Sequence, residues 1–144
     1  MARSSCAAAR SIRSVLASNA WTPIRTLPTI RMLGEPAATV RARARRVLRA
    51  LGAERAVKLG AEMVACTTEV GGGAMPLARV ESYAVALRPA RGKVDALARS
   101  LREGPVAVLG RIESGRLLLD LRTVAPGEIA NLVASIVRVL EEKP

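Results

Sequence analysis

The chain has 144 residues, half of them apolar, and its 23 Lys plus Arg against 12 Asp plus Glu give a formal net charge of +11. This length allows one compact domain, and no apolar run approaches the ~20 residues of a transmembrane helix. The absence of His excludes a Ser-His-Asp triad and imidazole metal ligands. Cys6 and Cys66 are too far apart for a CxxC zinc site, so no metal site is expected and the pattern is typical of a reducing compartment.

Residues 1–23 form a segment rich in Arg, Ser and Ala that contains no acidic side chain. Ile12, Val15 and Leu16 fall on one helical face, so a short amphipathic helix is one interpretation. An organelle transit peptide, a disordered terminus and a misplaced translation start also fit this composition. We place the boundary of the folded domain after this segment, so that the domain covers residues 24–144.

The next part of the chain carries most of the positive charge. Three prolines, Pro23, Pro28 and Pro36, predict an extended stretch. Apolar residues at i, i+3/i+4 spacing then predict an amphipathic helix over 37–51, ended by Gly52. The apolar positions of this helix are Val40, Ala44, Val47, Leu48 and Leu51.

The opposite face of the same predicted helix carries Arg41, Arg45 and Arg49. A row of this kind is ordinarily a solvated surface. The alternative is a face that binds RNA phosphates or an acidic partner, because residues 1–50 hold ten Arg and only one acidic residue.

The remaining pattern predicts strands at residues 57–70, 82–88, 106–113 and 116–122, and helices at 93–102 and 127–142. Ser114 and Gly115 are placed as a two-residue hairpin turn. In the last strand Leu117, Leu119 and Leu121 face one way, and Leu118, Asp120 and Arg122 the other. This order predicts a small α+β two-layer sandwich, with an antiparallel sheet of about four strands and helices on one face.

Few side chains are candidates for chemistry. Gly71, Gly72 and Gly73 form either a loop whose N–H groups cradle an anion or a simple connector. Asp120 and Arg122, at i, i+2 on one strand face, are interpreted as a surface ion pair, the alternative being an Arg directed into a cleft.

The lysines and the second cysteine are not predicted to react. Lys58, Lys93 and Lys143 fall near a turn, at a helix start and at the tail, whereas a Schiff-base lysine needs a desolvated site. Cys66 is interpreted as a buried structural thiol, because no base accompanies it. No catalytic residue is therefore assigned.

Four segments together carry a family resemblance. They resemble the C-terminal domain of bacterial L-seryl-tRNA(Sec) selenium transferase, also called selenocysteine synthase, in the family's order and spacing. The segments are residues 27–33 (LPTIRML), 69–76 (EVGGGAMP), 82–87 and 109–123 (LGRIESGRLLLDLRT). The resemblance extends over about residues 24–141.

This resemblance implies the small domain of a type I pyridoxal-phosphate transferase. Such enzymes are homo-oligomers of the bacterial cytoplasm that convert seryl-tRNA(Sec) to selenocysteinyl-tRNA(Sec) with selenophosphate. Their cofactor lysine lies in a GDKLLGGPQ-like segment of the large domain, which this sequence lacks, so binding of pyridoxal phosphate by this chain alone is not expected. Four residues match family motifs and become candidates for positions near the active site: Gly71, Gly72, Gly73 and Arg122.

Three hypotheses follow. The chain is a C-terminal fragment of a selenium transferase, inactive without the missing portion. Alternatively, it is a stand-alone basic α+β module that binds tRNA or an acidic partner, or a gene remnant that still folds.

Overall fold

A computed structural model describes residues 27–69, 79–89 and 94–142. The helices of these ranges are α1 (Pro28–Gly34), α2 (Ala37–Leu51), α3 (Ala53–Leu59), α4 (Val94–Arg102) and α5 (Ile129–Glu141). The strands are β1 (Glu62–Glu69), β2 (Arg79–Leu87), β3 (Arg111–Glu113) and β4 (Arg116–Asp120). A 3-10 turn, Pro126–Glu128, leads into α5.

The four strands form one antiparallel sheet in the order β1-β2-β4-β3. Val85 in β2 lies opposite Met63 of β1 and Leu119 of β4, which sets the register across the centre of the sheet. The predicted hairpin between β3 and β4 is confirmed. Ser114 and Gly115 both have positive φ, 51° and 71°, as the favoured two-residue hairpin turn requires.

The main core lies between the helices and one face of the sheet. On that face Val85, Leu87, Leu117 and Leu119 are at most 2% exposed. Helix α2 contributes the stripe that its periodicity predicts, and α4 and α5 complete the layer. The predicted α+β two-layer arrangement, with helices on one face of a four-stranded sheet, is confirmed.

A smaller apolar cluster lies on the other face of the sheet. Ala84, Ala86 and Leu118 are buried there, and Val64 and Cys66 pack against them. Among the described residues this cluster is built by strands alone. The candidate site lies at one end of this face.

The prediction of an extended stretch between Pro28 and Pro36 is wrong, because α1 occupies most of it. Proline is tolerated at the first helical position, where its missing N–H has no partner to lose. The rule that proline disfavours helical backbone holds only for the preceding residues, and Leu27 and Glu35 are indeed extended.

Three predicted strands are too long, and the last of them, 116–122, ends at Asp120. Residues 57–59 belong to α3, which ends at Gly60 in the left-handed conformation, and β1 begins only at Glu62. Residues 106–110 form no strand either. The N–H of Val108 donates instead to the carbonyl of Leu101, 3.0 Å away, at the end of α4.

Gly60, which lies between α3 and β1, supplies a test of stability. Its φ is +52°, and a Cβ built there would lie 2.5 Å from the carbonyl oxygen of Arg88. We therefore expect Gly60→Ala to lower the free energy of unfolding by at least about 2 kcal/mol. Gly127→Ala is the matched control, since Gly127 has open space and no positive φ. Urea denaturation followed by circular dichroism measures both, and equal losses would contradict the clash.

Candidate functional site

Arg122 is buried directly after β4, and only 1% of its surface is exposed. Its Nη1 donates to the carbonyl oxygens of Met32 (2.8 Å), Leu33 (3.3 Å) and Glu35 (2.8 Å). Its Nη2 donates to the carbonyl oxygen of Glu81 in β2. One guanidinium thus joins the end of α1 to the sheet.

These contacts follow from the chemistry of a helix end. The last carbonyls of a helix lack intrahelical partners and carry partial negative charge, so a cation there is stabilising. Burial lowers the pKa of Arg122 below its ordinary value, and the charges of Asp120 and Glu35 oppose this effect. The group remains a cation at neutral pH, because an arginine pKa lies far above 7.

A second buried arginine completes the junction. Arg43 of α2 is 7% exposed, and its Nη1 donates to the carbonyls of Leu121 (3.3 Å) and Val124 (3.1 Å). Its Nη2 lies 2.5 Å from both carboxylate oxygens of Glu35. Arg43 therefore binds the side chain of Glu35 while Arg122 binds the main chain of the same residue.

Sequence reasoning missed Arg43, although a signal was present. In the helical register Arg43 lies beside Ala44 and one turn from Val40 and Val47, within the apolar stripe rather than opposite it. A charged residue on a buried stripe requires partners, since an unpaired buried charge is strongly destabilising. Its carbonyl partners, Leu121 and Val124, lie about 80 residues away in the chain and could not be identified from the pattern, whereas Glu35 lies only eight residues upstream.

The carboxylate of Asp120 lies on the sheet face that bears the small apolar cluster. It accepts hydrogen bonds from the hydroxyls of Thr68 and Ser82 and from the main-chain N–H of Arg122 (3.0 Å). The interpretation of Asp120 and Arg122 as a surface ion pair is wrong. Arg122 is buried, and its guanidinium is directed to carbonyl oxygens of α1 and β2.

Cys66 lies opposite Ser82 in the register of β1 and β2 and is half-buried. Burial raises the pKa of its thiol, and the charge of Asp120 raises it further. The thiol form therefore dominates at neutral pH, which disfavours a nucleophilic role.

Lys58 does not have the environment of a Schiff-base lysine. Its side chain is 58% exposed, and its Nζ lies 2.7 Å from a carboxylate oxygen of Glu54. This ion pair lowers the pKa of Glu54. The other lysines, Lys93 and Lys143, lie outside the described residues, as do Cys6 and the glycine segment 71–73.

An open cleft of about 470 Å³ lies between α3 and the end of α5. Its charged groups are already paired, Glu54 with Lys58 and Arg55 with Glu141. The part of the chain that the structure describes contains no cluster of three potential metal ligands. Among the same residues, no helix is long and apolar enough to cross a bilayer.

Pyridoxal phosphate does not fit the residues described. Its aldehyde needs a desolvated lysine, whereas Lys58 is exposed and ion-paired. The buried cation Arg122 and the carboxylate of Asp120 are both engaged by groups of the protein itself. The described site is thus a structural junction.

Comparison with known proteins gives a consistent result. A family model described as L-seryl-tRNA selenium transferase matches residues 6–125. That match begins upstream of residue 24, where the motif resemblance starts.

Several curated relatives are named L-seryl-tRNA(Sec) selenium transferase. The relative from Methylocella silvestris is 42% identical over 100 residues, which is 67% of this chain and 21% of the relative. For Carboxydothermus hydrogenoformans the identity is 41% over 105 residues, 72% of this chain and 22% of the relative. For Desulfotalea psychrophila it is 33% over 119 residues, 83% of this chain and 26% of the relative.

The chain therefore spans about a fifth to a quarter of the length of these relatives. These matches cover 67–83% of this chain. The chain belongs to the L-seryl-tRNA selenium transferase family.

Proposed function

We propose that this chain is the C-terminal part of a transferase that converts seryl-tRNA(Sec) to selenocysteinyl-tRNA(Sec) with selenophosphate. We further propose that it acts only together with the remaining part of such a protein. The observation that carries this proposal is the coverage, because the family matches most of this chain and the chain matches only about a fifth to a quarter of each relative.

The chemistry of the described residues supports the proposal that this chain acts only together with the remaining part of the enzyme. In the proposed assembly the lysine that binds pyridoxal phosphate belongs to the other part of the enzyme. Lys58 is exposed and paired, the carboxylate of Asp120 already accepts a hydrogen bond from Ser82, and Nη1 of Arg122 already donates to a main-chain carbonyl. In the proposed assembly this chain supplies a rigid structural unit to the complete enzyme.

The end of the sheet near Thr68 and Asp120 is the candidate for the surface that faces the cleft of the complete enzyme. Gly71, Gly72 and Gly73 follow β1 two residues after Glu69, close in sequence to Thr68. Arg122 would then be a positioning residue, which holds the segment 32–35 against this end. Assembly as a homo-oligomer in the cytoplasm, with a folded domain over 24–144, completes the proposal.

The isolated chain tests the division of labour. With seryl-tRNA(Sec), selenophosphate and pyridoxal phosphate, we expect the purified chain to form no selenocysteinyl-tRNA(Sec). Borohydride reduction followed by peptide mass spectrometry should show no stoichiometric adduct at any single lysine. An exposed lysine such as Lys58 reacts only weakly, because nothing desolvates it. Unaided conversion, or one stoichiometric lysine adduct, would contradict the proposal.

A further inference from the structure

Helix α2 presents four arginines to solvent, Arg41, Arg45, Arg46 and Arg49, which we term the arginine surface. Within the described ranges none of the four lies within 4.0 Å of an acidic side chain, whereas eight other ion pairs form there. Helix α2 itself contains no acidic residue. The positive charge of this surface is therefore not neutralised locally.

The geometry of the surface is regular. Arg41, Arg45 and Arg49 follow one another at i, i+4 and i+8, about 6 Å apart along the helix axis, and Arg46 lies beside them. The opposite side of α2 is fixed in the core, with fully buried Val40, Ala44, Val47 and Leu51. The guanidinium of Arg41 lies over the ring of Tyr83, 5.6 Å from its centroid. The charges thus project from a rigid support.

The surface is chemically suited to phosphates. Arginine presents a planar fork of donors that matches phosphate oxygens in a bidentate manner. The other exposed positions of α2, between the arginines and on either side of them, are small, namely Ala38, Thr39, Ala42 and Ala50. A stable protein interface ordinarily needs an apolar or aromatic centre, which this surface lacks. A polyanion with evenly spaced charges, rather than an acidic protein, is the partner that these features favour.

We infer that the arginine surface is a docking site for the phosphate backbone of a structured RNA. The choice of tRNA as that RNA rests on the proposed function. Contacts of this kind position an RNA without reading its bases, so the surface adds affinity and orientation rather than sequence preference. The affinity should fall steeply with salt, because each phosphate contact releases bound counterions.

The test compares two triple variants with the same change in net charge. The row variant replaces three regularly spaced arginines of the arginine surface: Arg41→Gln, Arg45→Gln and Arg49→Gln. The control variant replaces three exposed arginines elsewhere: Arg88→Gln, Arg99→Gln and Arg102→Gln. Binding of labelled tRNA to the full chain is followed by fluorescence anisotropy between about 50 and 200 mM salt. Urea denaturation checks that both variants retain the fold.

We expect the row variant to bind at least about tenfold more weakly, and its slope of log affinity against log salt to fall by about two to three. The control variant should change affinity by less than about threefold. Equal losses in both variants would show a general effect of net charge and would overturn the inference. Unchanged tRNA binding by the row variant would overturn it too and would redirect attention to an acidic protein. Neither result bears on whether the chain needs the rest of the transferase, which is measured by conversion of seryl-tRNA.

Discussion

Replacing Arg122 by Met is expected to lower the free energy of unfolding by about 3–5 kcal/mol. The substitution removes donors to the carbonyls of Met32, Leu33, Glu35 and Glu81. Buried carbonyls that lose their partners cost about 1–3 kcal/mol each where water cannot replace the donor. Since domains are stable by only about 5–15 kcal/mol, this is a large share of the total.

Urea denaturation of the full chain measures the loss, with Arg99→Met as the matched variant at an exposed position of α4. The exposed variant should change stability by no more than about 0.5 kcal/mol. Arg122→Lys should rescue little, because a single ammonium cannot reach the carbonyls of both α1 and β2 as the guanidinium fork does. Hydrogen exchange of residues 28–35 should rise well before global unfolding. A stability within about 1 kcal/mol of the parent chain would contradict the assignment of Arg122 as the clamp.

Arg43 provides a check on the same mechanism. It and Arg122 both hold Glu35, one through the carboxylate and one through the carbonyl. Once either arginine is removed, the other secures a segment that is already partly released. The double variant Arg43→Met with Arg122→Met should therefore cost less than the sum of the single losses.

The elements with long apolar periodicity could be predicted from the sequence. Helix α2 has the predicted bounds 37–51, and the start of α4 lies one residue from its predicted position. The hairpin at Ser114 and Gly115 follows from local turn chemistry, because the residues that set its backbone are adjacent in the chain. For the two helices, burial of one face decides the structure, and the spacing of apolar residues in the sequence marks that face directly.

The two short helices could not be predicted in the same way. Helices α1 and α3 have seven residues each, about two turns, which is too little for a periodic pattern. Each depends on contacts made elsewhere in the fold. The end of α1 is held by Arg122, 87 residues beyond Glu35 in the chain.

The same large separation along the chain explains the errors at the candidate site. Asp120 and Arg122 are close in sequence and opposite in charge, so a local reading pairs them. The fold gives their two charged groups other partners, since α1 brings unpaired carbonyls to the guanidinium of Arg122, and β1 and β2 bring hydroxyls to the carboxylate of Asp120. The glycine segment 71–73 lies outside the described residues, and its proximity to an active site stays a prediction.

The central claim is that this chain is one part of a larger selenium transferase and works only when the other part is present. The most direct measurement joins the two. A hybrid is made in which this chain replaces the matching segment of the Methylocella silvestris relative, to which it is 42% identical over 100 residues. The same relative without that segment is the control. Both are assayed for conversion of seryl-tRNA(Sec) to selenocysteinyl-tRNA(Sec) with selenophosphate.

We expect conversion by the hybrid and at least about a hundredfold less by the control, because only the hybrid contains both parts that the proposed function requires. Conversion by the shortened relative at the rate of the hybrid would contradict the account. So would a hybrid that folds and assembles like the parent relative, yet forms no selenocysteinyl-tRNA(Sec).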